Sequence, residues 1–202
     1  MRRFLAMVLL GALLGGAALA QDGRAIIDPQ TLVRYRVEQF IPANFPVGMA
    51  FASDGSLFYN EKTTGSVRRV LPDGTLQRQP VVTLPTSALQ ERGMLGLALA
   101  PDFAESQTIY VVHTREGTAR DWPANNLVRL RLEDGLAIEQ EVLLSVPITN
   151  GQLMHNGGNI HFDTDGHLFF SLGDYSEAAH AQDLSTPQGA IHRFIVTEEE
   201  LL

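Results

Sequence analysis

The stretch Met154-His155-Asn156-Gly157-Gly158-Asn159-Ile160-His161-Phe162-Asp163-Thr164-Asp165-Gly166-His167-Leu168-Phe169-Phe170-Ser171-Leu172-Gly173-Asp174 reads as a β-hairpin with a reactive group at its mouth. Apolar residues alternate on both sides of an Asp-Gly turn, and a Gly-Asp pair closes the second run. His155 stands before two glycines, whose missing side chains would let a flat ligand or a neighbouring backbone come close. Two readings stay open here: a site on a β scaffold, or an ordinary turn with a polar loop histidine.

Working outward, the same phrase recurs. Gly48-Met49-Ala50-Phe51-Ala52-Ser53-Asp54-Gly55-Ser56-Leu57-Phe58-Tyr59 is strand, turn and strand, and Gly65 to Val70 with Pro72-Asp73-Gly74-Thr75 adds another strand and turn. Gly96 to Phe103, continuing through Thr108 to His113, repeats the shape. The turn residues Asp54, Asp102 and Asp165 are separated by 48 and then 63 residues, a loose repeat with an insertion before its last copy. A period near 40 to 50 residues with about four strands predicts propeller blades, and the restarting phrase argues against a β-sandwich. The fold expected is all-β: a partial β-propeller of about three four-stranded antiparallel blades. Short helical turns are expected at 86–92 and 197–202, the latter from the capping-box spacing of Thr197 and Glu200.

Residues 1–20 read as a secretion signal: Arg2 and Arg3, an apolar run from Phe4, and Ala18-Leu19-Ala20 before Gln21. The expected organisation is signal at 1–20, propeller segment at 21–194 and an unrelated tail at 195–202, in a periplasmic or secreted protein with no membrane span after cleavage. Losing Arg2 and Arg3 from 15 basic residues leaves 13 against 23 acidic ones, a formal charge of −10, so nucleic acid and anionic lipid are poor partners. The chain has no cysteine, which removes disulfides and thiolate chemistry.

Glu91-Arg92-Gly93-Met94-Leu95-Gly96-Leu97-Ala98-Leu99-Ala100-Pro101-Asp102-Phe103, His155-Asn156-Gly157-Gly158, Phe162 with Asp165-Gly166 and Leu168-Phe169, and Gly173-Asp174 together resemble the soluble glucose/sorbosone dehydrogenase family, the pyrroloquinoline quinone (PQQ)-dependent aldose sugar dehydrogenases. Pro46-Val47-Gly48-Met49-Ala50-Phe51 resembles that family's opening blade, and the resemblance runs from about Phe40 to Phe194. It implies a six-bladed propeller that binds PQQ and calcium and oxidises the anomeric hydroxyl of an aldose to a lactone, electrons passing to an external acceptor. Carried onto this chain, His155 is the general base, Glu91 a cofactor contact, and the backbone of Gly157 and Gly158 a floor for the quinone.

The residues themselves agree with a base at this position. An imidazole with an ordinary pKa near 6.5 is mostly neutral at pH 7 and able to take an alcohol proton. No metal ligand is assigned. Asp163-Thr164-Asp165-Gly166 reads as turn chemistry rather than a calcium loop, because no bidentate glutamate follows at the expected spacing. His155, His161 and His167 read as separate strand positions without a third ligand. Asp174 reads as a strand-end turn residue, with the site mouth as the alternative. Asn159 and Ala190 stand where the family places basic residues, and the segments that would grip the quinone carboxylates have no counterpart in this chain. Weak or absent quinone binding by the chain alone is therefore expected, with a homodimer through open blade edges as a possible assembly. A non-catalytic binding module and an inactive fragment are the rival readings.

Overall fold

The computed structural model describes residues 24–196. The expected signal and the helical turn at 197–202 lie outside the described residues. Contacts divide the chain into two units, residues 1–42 and 43–202. In the first, β1 (Arg24–Ile27) pairs antiparallel with β2 (Arg34–Val37), and the carboxylate of Asp28 accepts the backbone N–H groups of Gln30 and Thr31 in the connecting turn.

The second unit holds three antiparallel sheets. Strands β3 (Pro46–Phe51), β4 (Leu57–Glu61), β5 (Ser66–Val70) and β6 (Val82–Thr83) lie in that order, followed by β7 (Met94–Leu99), β8 (Thr108–Arg115), β9 (Ala124–Glu133) and β10 (Leu136–Pro147) as a second meander. The third comprises β11 (Gly157–Phe162), β12 (His167–Leu172) and β13 (Ala190–Ile195). The opening strands neighbour one another, β7 lying against both β3 and β11, which is the radial arrangement of propeller blades. Among the described residues the third blade has three strands, and Ile195, placed by the sequence in the tail, ends β13 opposite His167.

The recurring turn phrase has a common chemistry. The carboxylates of Asp54 and Asp73 accept the N–H of the residue two positions on, at 2.7 and 2.8 Å, and in the third blade the acceptor is Asp163, which takes the N–H of the turn residue Asp165 at 2.9 Å. Asp102 lacks the glycine that follows Asp54, Asp73 and Asp165, its connection is longer, closing from Ala100 to Thr108, and there the chain makes a single helical turn, α1 (Phe103–Ser106). The expected helical turn at 86–92 does not form. Thr86 bridges to Arg115 of β8, and Ser87 N–H donates to the Thr114 carbonyl, so pairing with the blade captures this backbone.

Period-2 alternation divides the core between the two seams. Ile109 and Val111 of β8 face the first blade with Phe58, Val67 and Met94, while Tyr110 and Val112 face the third with Ile160, Leu168 and Phe170. A strand apolar on both faces is thus one covered on both faces. At the second seam the backbones almost touch: a Cβ on Gly96 would lie 2.0 Å from the carbonyl oxygen of Gly158. The outer faces of the end blades are uncovered, leaving Val47, Met49 and Phe51 of β3 and Ile191 and Ile195 of β13 exposed. No helix among the described residues is long and apolar enough to cross a membrane.

Candidate functional site

The end of blade three that carries His155 gathers three loops: residues 148–156 leading into β11, residues 173–177 leaving β12, and the connection from β6 to β7. His155 has left-handed backbone (φ 58°), uncommon for a residue with a side chain, and its imidazole is 55% exposed. Its Nδ1 lies 2.8 Å from Oδ1 of Asp174. That bond, together with the Ser176 N–H, holds the Asp174 carboxyl below the usual carboxylate range against the opposing effect of its partial burial. Asp174 is thus the imidazole's partner, the less favoured of the two sequence readings. With Nδ1–H directed at a carboxylate, the lone pair is left on Nε2, which is the tautomer a proton acceptor needs.

The backbone beneath this pair is tightly fitted. A Cβ on Gly173 would lie 1.8 Å from the carbonyl oxygen of His155, so only glycine lets the strand end pass under the histidine. Tyr175 N–H donates to that same carbonyl at 3.3 Å. Asn125 of β9 then locks both flanks: its amide donates to the carbonyl and side-chain oxygens of Asn156 and to the Tyr175 hydroxyl, while Thr114 donates to its Oδ1 at 2.7 Å. Burial pushes the Tyr175 phenol far above its ordinary value, so it stays neutral. Sequence reading missed this network, although Asn125-Asn126 interrupting an apolar strand was the available signal, since buried amides need partners.

Glu91 reaches the site, but through backbone: its Oε2 accepts the N–H of His155 at 2.5 Å. Gly157 is exposed and Gly158 buried, both with positive φ. A side chain at 157 would meet Ser171 and Gly173 backbone, and one at 158 would meet Leu95, so packing alone accounts for both glycines. His161 and His167 are not brought to His155. His167 bonds Oδ2 of Asp163 at 3.0 Å in the turn at the other end of the β11–β12 hairpin. There Asp163, Asp165 and His167 each present one ligand atom within 4.8 Å of the others, yet both carboxylate oxygens of Asp163 already close the turn.

A second histidine lies inside blade two. His113 is 3% exposed, opposite Asn126 in the β8–β9 register, with Nδ1 3.1 Å from Thr86 Oγ1. The Thr86 hydroxyl donates to the Leu84 carbonyl, so it accepts from His113 Nδ1–H, and the ring is neutral. Burial, aided by the charge of Arg115, pushes its pKa down to about 4.

Residues 43–199 match the family described as Glucose / Sorbosone dehydrogenase, extending past the boundary at 194 drawn from sequence. The chain is similar to the aldose sugar dehydrogenase YliI of Escherichia coli K12, 36% identical over 106 residues that make up 50% of this chain and 28% of that protein. Human Hedgehog-interacting protein is 28% identical over 146 residues, 64% of this chain and 20% of its own length. The solved PQQ-bound aldose sugar dehydrogenase of Streptomyces coelicolor superposes with a TM-score of 0.65 at 25% identity, covering 75% of this chain and 45% of that one. The chain thus spans less than half the length of each of these proteins. With a matching segment that takes in all three blades and the His155 loop, the chain belongs to the glucose/sorbosone dehydrogenase family.

Proposed function

We propose that this chain carries the proton-accepting part of a PQQ-dependent site that oxidises the anomeric hydroxyl of an aldose to a lactone, in an exported protein that passes electrons to an external acceptor. The observation that carries the reading is an exposed imidazole with Nδ1 committed to Asp174 and Nε2 open to solute. In the reaction His155 Nε2 takes the hydroxyl proton as C1 gives up its hydride, and Asp174 stabilises the resulting imidazolium. Bound PQQ, with calcium, supplies the hydride acceptor. The protein's part is to orient the imidazole and to keep a flat, exposed backbone at Gly157 beside it.

The described residues fit the base and floor better than the cofactor's anionic groups. Two carboxylates, Glu91 and Asp174, flank His155, while the cations at this loop cluster are turned to backbone, Arg92 donating to the Gln152 carbonyl and Lys62 to the Gln90 carbonyl. Among the described residues, the cluster that could hold a metal ion, Asp163, Asp165 and His167, lies at the far turn and not at this end. Binding of PQQ with calcium to the chain alone is accordingly expected to be weaker than micromolar by equilibrium titration, with dye-linked aldose oxidation visible only at saturating quinone. No oxidation at saturation would overturn the enzymatic reading.

The exposed faces of β3 and β13 are proposed to meet a second copy of the chain, each apolar row covering the other. Sedimentation of the chain should then show a dimer that Met49→Lys returns to monomer; a monomer at every concentration would exclude it. A non-catalytic binding module remains the second reading, favoured by the similarity to Hedgehog-interacting protein. It requires partner binding that is indifferent to the imidazole.

A further inference from the structure

Two consecutive residues of the β6–β7 connection hold the histidine loop at three points. Glu91 N–H donates to the Leu153 carbonyl at 3.2 Å, Glu91 Oε2 accepts His155 N–H, and Arg92 Nη2 donates to the Gln152 carbonyl at 2.6 Å. On the other side, Lys62 Nζ reaches the Gln90 carbonyl at 2.6 Å, and Met94 N–H donates to the Lys62 carbonyl. Gln90 itself has left-handed backbone (φ 53°), as does His155. Such conformations persist in side-chain-bearing residues only where the surroundings over-determine them.

Arg92 sharpens the point. It is 5% exposed, and its Nε has no partner, so its guanidinium is buried without full compensation. A buried charge of this kind is costly and is retained where its bonds fix a geometry.

We infer that Glu91 and Arg92 are positioning residues, a clamp that carries the placement of blade one through blade two to the backbone of the catalytic histidine in blade three. The inference rests on the reading of His155 as base for its consequence, and on backbone geometry for its existence. Glu91 here acts through the His155 N–H rather than by touching quinone. Removing its carboxylate frees the loop to leave the left-handed conformation, which turns the imidazole away from Asp174.

The test uses the full chain and needs no cofactor for its first readout. Hydrogen exchange of the amides at 152–156 should accelerate by about 10-fold or more in Glu91→Ala, an opening of the loop, and stay within about 2-fold of wild type in Glu91→Gln, whose amide oxygen still accepts. Imidazole nitrogen shifts of His155 should show the Nδ1–H tautomer losing population in Glu91→Ala alone. Arg92→Lys, which keeps the charge but not the reach, should accelerate exchange at 152–154. Unchanged exchange and tautomer in Glu91→Ala, with weakened quinone binding, would make Glu91 a cofactor contact and overturn the clamp. If both readouts respond while the wild type never oxidises an aldose at saturating quinone, the clamp stands and the enzymatic reading falls.

Discussion

His155→Ala is expected to lower quinone-dependent aldose oxidation at saturating PQQ and calcium by about 10²- to 10⁴-fold, the usual contribution of a positioned general base. The loss should fall on kcat, because the imidazole acts when the hydroxyl proton leaves and contributes little to holding the sugar. Stability should change little, since the side chain is 55% exposed. Asp174→Asn is the companion variant. An amide can donate to Nδ1, which drives the proton to Nε2 and blocks the acceptor without removing the ring. Oxidation should fall nearly as far as in His155→Ala, and the two changes together should cost little more than either. Full activity in Asp174→Asn would mean that the tautomer is set elsewhere; full activity in His155→Ala would remove the base from the mechanism.

Acidification is expected to weaken the fold through His113. Its pKa is about 4 in the folded protein against 6.5 for the free side chain, so the unfolded chain binds the extra proton first. The sign follows: stability is unaffected above pH 6.5 and declines as pH falls from 6.5 toward 4, by about 3 kcal/mol in all for a shift of this size. Below that range the protonated ring is carried in both states and the decline from this group stops. The lowered carboxyls of Asp54, Asp163 and Asp174 add their own losses further down, below their ordinary value of 3.8. Urea midpoints measured at pH 7 and pH 4.5 for wild type and His113→Gln separate the contributions. The variant, which cannot charge, should lose markedly less between the two pH values. Equal losses would show that His113 is not the group responsible.

Much of the architecture was legible because its cause is local. An aspartate that accepts the N–H two positions on closes a hairpin at Asp54 and Asp73, and period-2 alternation assigns each residue a face. The helical turn expected at 86–92 failed for the opposite reason. Its backbone groups find partners in β8, a strand whose position no window of local sequence records. The single turn at Phe103–Ser106 lies where the copy has no glycine after its aspartate and a longer connection, the closing bond running from Ala100 to Thr108 rather than from Ala52 to Ser56. His155 was visible through its setting and its resemblance to a known family. Asp174, 19 residues away, looked like a strand-end turn because its partner is reached only when β11 and β12 fold back on one another.

The sequence by itself determined the all-β class, the blade repeat, the acidic charge and the histidine at the hairpin mouth, since composition and short-range hydrogen bonding suffice for these. Tertiary structure alone decided what surrounds that histidine: the carboxylate on its ring, the Glu91 oxygen on its backbone, and the Asn125 network below. Those partners come from separate loops and from the neighbouring blade, and they meet only because buried polar groups must find each other when the sheets pack.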